Sequence, residues 1–528
     1  MDRKERRYPI GIQTFSEIIE GKYVYVDKTD LMWKLQRLSK FIFLSRPRRF
    51  GKSLLSSTFH SFFAGERHLF EGLKVMQYER EWEKYPVFHF DLSATKHLPI
   101  QGVKEELNRQ LRLLEKEYGS DEQETSPGMR LAGLIIRAKE KTGKKVVVIV
   151  DEYDAPLLDV LHTEDLLHET RELMQEFYQR LKMYEPFLRF CFITGITKFS
   201  QLSIFSTINN LTNVSLDPSF SAICGITEEE LTTNMSEDIS MLANEYKCDY
   251  SEMLTKLRNT YDGYRFSRKL PHVYNPFSIM KAFNHKFLDN YWFESGTPSF
   301  LFHQLHRFHT DITQIDNHVV PSSAFDQPTE NMVDALPLLY QSGYLTIKDY
   351  DREADIYTLS IPNKEVRVGL TEGLLPNYIG LKGADVQTGF ALRFWRALKQ
   401  KDIDLALREM KSYLESLPYV EGFKKKLEEV STAEGFYEWT FYLIFSMLNV
   451  YVQTQVKCIR GRIDMVAYMP DTIYVMELKL RGTAQEALEQ INSKGYALPY
   501  TSDGRKIIKV GIHFDIDKKS LDDWIISE

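Results

Sequence analysis

Short β-rich runs alternate with helix-period stretches through about the first 225 residues, the pattern of a parallel sheet flanked by helices. The expected strands are Lys40–Ser45, Pro86–Leu92, Lys145–Val150 and Arg189–Thr194. From Thr227 to about Phe300 the pattern becomes helical and aromatic. It is interrupted by the turn-like Tyr261-Asp262-Gly263-Tyr264 and Tyr274-Asn275-Pro276-Phe277. Between Leu301 and Glu372 a helix leads into Gly343–Lys348 and then Ile356–Ile361, an order compatible with a small winged-helix-like module. The last 150 or so residues begin with helices, then give a hairpin over Arg462–Leu480, another helix and a strand at Lys506–Phe514. The expected fold class is therefore α/β multidomain, divided as 1–226, 227–300, 301–372 and 373–528.

Composition narrows the setting. The 528 residues are enough for about three or four domains. A net charge of −7 means that any grip on a polyanion must come from local basic patches. Cys191, Cys224, Cys248 and Cys458 form no CxxC pair, so neither a disulfide framework nor a thiolate zinc site is indicated. No run approaches the roughly 18 apolar residues of a membrane span, and the expectation is a soluble, cytoplasmic protein.

Arg46-Pro47-Arg48-Arg49-Phe50-Gly51-Lys52-Ser53 lies between an apolar strand and the helical run Leu54–Phe63, where a phosphate-binding loop belongs. Backbone N–H groups at such a helix start can cradle a phosphate, Lys52 can reach the β and γ groups, and the Ser53 hydroxyl can hold Mg²⁺. Arg46 stands where the usual first glycine would be. The run Val146–Val150 ends in Asp151 and Glu152, placed to hold the Mg²⁺ shell and to polarise the attacking water. The strand Arg189–Thr194 continues into Gly195-Ile196-Thr197-Lys198; Thr194 or Thr197 could sense the γ-phosphate, or Thr194 could be a turn residue at the surface.

Together with Tyr8-Pro9-Ile10-Gly11, Tyr25-Val26-Asp27-Lys28-Thr29 and Asp151-Glu152-Tyr153-Asp154-Ala155-Pro156-Leu157, these motifs resemble the AAA-ATPase-like proteins of bacteria and archaea. Those proteins look like P-loop ATPases fused to a C-terminal PD-(D/E)XK nuclease-like domain, and the resemblance spans nearly the whole chain. It implies ATP as the cofactor, bound by Arg46 through Leu54 with Asp151 and Thr194. It makes an arginine at position 46 the usual form, and it puts Tyr25–Thr29 near the adenine.

The C-terminal hairpin carries its own chemistry. A turn centred on Pro470-Asp471 sets Asp464 directly opposite Glu477, with Cβ atoms about 4.5–5.5 Å apart, close enough to share one divalent cation. Lys479 lies on the same face, because strand side chains alternate. Two carboxylates and a lysine are what metal-dependent phosphodiester hydrolysis needs: the acids fix Mg²⁺, or Mn²⁺ in its place, and the lysine orients or deprotonates water. The set looks like the PD-(D/E)XK core. In that resemblance Asp464, Glu477 and Lys479 match the motif, Gln490 matches the glutamine of the recombination-nuclease branch, and Glu434 matches a helix-borne acid. Glu438 competes with Glu434, which with Ser431 also reads as a capping box, and Gln455 stands where an acid is more usual. Thr483 and Glu486 form a second capping box, opening a helix whose apolar face is Ala484, Ala487, Leu488 and Ile491.

The expected function is ATP binding and hydrolysis coupled to a Mg²⁺-dependent nuclease acting on nucleic acid. In it Glu152, Asp464, Glu477, Lys479, Gln490 and Glu434 are catalytic, while Ser53, Asp151, Asp464 and Glu477 hold metal. The alternative is a nucleotide-switch sensor or defence-type protein whose C-terminal domain binds nucleic acid without cleaving it. No arginine finger is evident, and the oligomeric state is not legible in the sequence.

Overall fold

The computed structural model describes residues 6–158, 160, 163–197, 210–269, 271–295, 318–323, 336–370, 393–394, 396–398, 400–415, 451–458, 461–469, 471–515 and 520–528. The chain forms two compact units, Met1–Thr310 with Asn317–Glu365, and Asp311–Asp316 with Val366–Glu528.

The first unit is built on β1 (Phe41–Ser45), β2 (Val87–Asp91), β3 (Val146–Asp151), β4 (Leu188–Gly195) and β5 (Thr212–Asn213). They form one sheet in the order β2-β3-β4-β1-β5, every pair parallel. Helices Ile100–Tyr118, Pro127–Thr142 and Glu164–Met183 share a core with one face, where Val103, Leu134 and Phe177 meet Phe88, Val148 and Ile193. Helix Lys52–Phe63 covers the other face, where Phe59 lies 5.1 Å from Phe190 and 4.9 Å from Phe192 between ring centroids. Burial on both faces is why β1, β3 and β4 read as nearly continuous apolar runs.

Helices Glu228–Asn234, Ser236–Glu245, Tyr250–Tyr261 and Pro276–His285 form a second core in this unit, against which Tyr8, Ile10, Val24 and Val26 pack. The Tyr274–Phe277 turn proves to be a helix start. Asn275 Oδ1 accepts from Phe277 N at 2.9 Å and Ser278 N at 3.2 Å, with Pro276 in the first turn, where its missing N–H costs nothing. Along the chain helix Leu336–Ser342 lies between β6 (His318–Pro321) and β7 (Thr346–Asp351), which with β8 (Ile356–Ser360) form an antiparallel sheet in the order β6-β8-β7.

The second unit centres on β9 (Tyr451–Cys458), β10 (Gly461–Tyr468), β11 (Thr472–Lys479), β12 (Lys506–Asp515) and β13 (Ser520–Ser527), in the order β13-β12-β11-β10-β9. Only β11 and β12 are parallel; the other pairs are antiparallel. Helix Ala484–Lys494 links that parallel pair, as a crossover must. Its expected capping box is present, Thr483 and Glu486 exchanging hydrogen bonds of 3.1 and 2.9 Å, and its four apolar residues are buried. No helix among the described residues is long and apolar enough to cross a membrane.

Candidate functional sites

The phosphate loop begins where β1 ends. Arg49 and Gly51 take positive φ values of 68° and 90°, and the αL turn at Gly51, free of Cβ cost in glycine, turns the chain into helix Lys52–Phe63. Arg48, Arg49, Phe50, Gly51, Lys52, Ser53 and Leu54 line a cavity of about 600 Å³. Lys28, Lys96, Glu152 and Cys224 line it too, as do the Val24–Val26 segment and Pro276, Phe277 and Met280 of the helical layer. Five cationic side chains, Lys28, Arg48, Arg49, Lys52 and Lys96, are part of its lining, which suits a polyanionic ligand.

Lys52 is buried, and its Nζ donates to Pro47 O at 3.0 Å, folded back onto its own loop. Burial lowers the pKa of its ammonium, opposed by the Glu152 and Asp151 carboxylates. Asp151 ends β3 behind the cavity wall. Burial pushes its carboxyl up to about 6, against the hydrogen bond from Ser53 and the charge of Lys52. Ser53, at the start of the helix, and Asp151, at the end of β3, thus lie close enough to influence one another. Glu152 has a φ of 50° and is ion-paired with Lys96. Burial raises its carboxyl, yet Lys96 and Lys52 outweigh that and hold it below the usual range.

Besides Asp151, three residues expected at the phosphates do not line the cavity. Arg46 is 1 % exposed and turns away, its guanidinium donating to Ser45 O (2.9 Å), Ser215 O (2.8 Å) and Phe220 O (3.1 Å) and lying 4.5 Å from the Phe266 ring. It pins the segment after β5 to the loop, so its positive charge serves carbonyl oxygens. Pro47 contributes only its carbonyl, to Lys52. Thr194 donates its hydroxyl to Leu44 O at 2.8 Å inside the sheet. Thr197 is likewise engaged, donating from Oγ1 to Asp154 Oδ2 at 2.6 Å, and Asp154 also takes the N–H groups of Ile196 and Thr197. Asp154 is thus the buried anchor of the β4 end, and Lys96 is the partner of Glu152. Both lie far in sequence from what they hold; Asp154 stands in the Asp151–Leu157 motif, but its role there is not legible from the motif, and nothing local marks Lys96. Lys198 lies outside the described residues.

In the second unit the hairpin has the expected register, Tyr468 opposite Ile473 through Met465 opposite Met476. There the ladder pairing of β10 with β11 stops. Asp464 enters with its carboxylate instead, Oδ2 accepting from Leu478 N at 2.8 Å. On the other side, β9 and β10 skip the pair Gln455–Asp464, and Gln455 has a φ of 52°, a strained conformation for a non-glycine strand residue. The irregularity thus surrounds Asp464 on both flanks.

Glu477 is 1 % exposed. Burial and then the neighbouring Asp464 charge push its carboxyl up to about 8, with Lys479 opposing. Gln490 reaches over from helix Ala484–Lys494: its Nε2 donates to Glu477 Oε1, and its Oε1 accepts from Lys479 Nζ at 2.6 Å. Lys479 Nζ is also 3.5 Å from Glu477 Oε1. Glu477 Oε2 is buried with no hydrogen-bond partner. An orphaned carboxylate oxygen beside a second carboxylate is costly in a bare protein and fits a hard divalent cation, for which oxygen donors are the natural ligands. Among the described residues no group of three His, Cys, Asp or Glu side chains converges as a metal cage. Glu434, Glu438 and Pro470 lie outside the described residues.

A parallel sheet with a phosphate loop after β1 and acids after β3, followed by a mixed sheet bearing an acid, acid and lysine hairpin, defines a P-loop protein with a nuclease-like C-terminal unit. Residues 9–205 match the family model described as predicted AAA-ATPase, and residues 432–524 match that of the PD-(D/E)XK nuclease superfamily. The chain is also 32 % identical to an uncharacterized protein in the vnfD 5′ region of Azotobacter chroococcum mcd 1, over 100 % of this chain and 99 % of the relative. The chain belongs to this family, predicted AAA-ATPases that carry a C-terminal PD-(D/E)XK nuclease-superfamily domain.

Proposed function

We propose that the protein binds and hydrolyses ATP at the P-loop cavity and so controls a divalent-metal-dependent nuclease in its C-terminal unit, acting on nucleic acid. At the first site Lys52 neutralises the β and γ phosphates, Ser53 and Asp151 hold Mg²⁺, and Glu152, once released by Lys96, takes the proton of the attacking water. At the second, Asp464 and Glu477 hold Mg²⁺ or Mn²⁺, which when bound would supply charge neutralisation at the scissile phosphate. Lys479 orients the attacking water, and Gln490 holds Lys479 and Glu477 in place. Glu434 is proposed as a further acid at this site. The segments 227–300 and 301–372 are proposed to pass nucleotide state on to 373–528.

The observation that carries the nuclease reading is the Glu477 carboxylate, buried beside Asp464 with one oxygen unpartnered and the other bound by Gln490. The test is a cleavage panel of single- and double-stranded DNA and RNA with Mg²⁺ or Mn²⁺, with and without ATP, using the wild-type chain, Glu477→Ala and Lys52→Ala. Metal-dependent cutting lost in Glu477→Ala is expected, with Lys52→Ala altering its ATP response. Intact ATP hydrolysis without cutting under any condition would overturn the nuclease. The second reading, a nucleotide switch that binds nucleic acid without cleaving it, is favoured by one observation: position 455, beside Asp464, holds glutamine where an acid would strengthen the metal site.

A further inference from the structure

The lysine of the hairpin has a neighbour in the sheet that the acid, acid and lysine motif does not include. Because β11 and β12 run parallel and in register, Glu477 lies beside Gly511 and Lys479 beside His513. Laterally paired residues share a face, and residues two apart on a strand share it as well. Gly511 identifies that face: a Cβ there would come within 2.3 Å of Ala484 O and 2.6 Å of Leu488 N, so glycine lets the helix carrying Gln490 lie directly on the sheet. His513 therefore stands on the face of Glu477, Lys479 and Gln490, one strand further along.

A local irregularity then supplies His513 with a partner. His513 pairs with Asp523 on β13, but Phe514 pairs with Leu521, so Asp522 is the extra residue of a β-bulge. Its Oδ2 is 3.2 Å from His513 Nδ1. Bulges re-aim side chains beside active sites, and without this one the alternation of β13 would turn Asp522 to the opposite face. The side chains of Lys479, His513 and Asp522 remain 24 %, 21 % and 35 % exposed, open to an incoming ligand, whereas Glu477 is closed in beneath them. Among the described residues the charged groups on the elements packed around His513 are Lys479 from β11, Asp522 and Asp523 from β13, and Lys411 of helix Ile403–Glu415, whose Nζ is 3.5 Å from Asp522 O. An Nδ1–H donated to the carboxylate fixes the ring and leaves Nε2 for proton transfer.

We propose that His513, oriented by Asp522, is the general acid that protonates the leaving oxygen in phosphodiester hydrolysis at the Asp464–Glu477–Lys479 site; the proposal rests on the nuclease reading. The water oxygen bonds to phosphorus and its proton passes to bulk solvent. The bond from phosphorus to the leaving oxygen breaks, and that oxygen takes the Nε2 proton of the imidazolium, which solvent then restores. His513 is the catalytic residue and Asp522 a positioning residue.

The test uses the full chain with Mn²⁺ and an oligonucleotide cut at a mapped position, alongside the same oligonucleotide with sulfur in place of the leaving oxygen. A thiolate departs without protonation, so only a general acid should become dispensable. On the oxygen substrate His513→Ala is expected to lower kcat by about 10²-fold, and Asp522→Asn by less. On the sulfur substrate both should run close to the wild-type rate, with thermal melting unchanged. Equal loss on both substrates, or no loss on either, overturns the role of His513. If cleavage is abolished by Glu477→Ala yet indifferent to His513→Ala, the nuclease reading stands and this proposal alone falls. Absence of cleavage by the wild-type chain would overturn both.

Discussion

Glu152 and Lys96 form an ion pair on the wall of the cavity beside the phosphate loop, the carboxylate that follows β3 being held by an ammonium that follows β2. The pairing keeps Glu152 ionised against its burial and at the same time ties it up as a proton acceptor. Removing Lys96 leaves burial with less opposition, so the carboxyl pKa rises. In Lys96→Met the acid limb of the pH profile of ATP hydrolysis should move to higher pH by about one unit or more. A profile superimposable on that of the wild type would mean that Glu152 is not the proton acceptor.

Lys52 is already bent over its own loop, with Pro47 O as its partner at 3.0 Å. A triphosphate would exchange that neutral acceptor for a charged one. Lys52→Ala should weaken binding of a fluorescent ATP analogue by about 10- to 100-fold, the worth of a charge-assisted hydrogen bond. The fold should be unaffected, because the lost partner is a single carbonyl that water can serve.

Glu477 makes the metal-free second unit sensitive to pH in a defined direction. Its carboxyl sits at about 8 in the folded chain against an ordinary value of 4.5. Between those values the folded state keeps a proton that the unfolded chain has released, so stability falls as pH rises across the window. Melting of the second unit within the full chain should therefore be lower at the alkaline end than at the acid end, and added Mg²⁺ should restore it most at the alkaline end. Glu477→Gln should abolish both the slope and the Mg²⁺ response; persistence of either would place the titrating group elsewhere.

Arg46 is a structural residue, and its substitution should read as one. Arg46→Ala leaves the buried carbonyls of Ser215 and Phe220 without donors, for a cost of about 2–4 kcal/mol seen as a lower melting temperature of the first unit. Arg46→Lys should recover little, since one ammonium cannot reproduce the fork that bonds both carbonyls. The folded fraction of either variant should bind nucleotide far better than Lys52→Ala does.

Most strands were legible because burial on both faces leaves an apolar run. The bounds moved only slightly, with Lys40, Pro86, Leu92 and Lys145 just outside their strands and Gly195 inside β4. The strands that local pattern misses are β5, β6, β9 and β13, all at sheet edges and carrying polar residues such as Thr212, His318, Thr454 and Asp523. The hairpin register was legible from its turn as far as Met465 opposite Met476, but the expected pair Asp464–Glu477 is not part of the ladder, because the Asp464 carboxylate takes the Leu478 N–H instead.

The sequence by itself determined the chemistry available: a phosphate loop opening a helix, acids ending a buried strand, and an acid, acid and lysine hairpin with its capped glutamine helix. Each is a matter of spacing along one or two adjacent elements, and local spacing is what a chain states directly. Which way a side chain turns is decided by neighbours distant in the chain. The placement of β4 beside β1 gives the Thr194 hydroxyl to Leu44, and the segment after β5 draws Arg46 away from the phosphates. Strand order likewise brings Lys96 to Glu152, and a one-residue slip between β12 and β13 brings Asp522 to His513. These are contacts between residues brought together only when the sheets assemble, and no period or motif in the linear sequence encodes them one at a time.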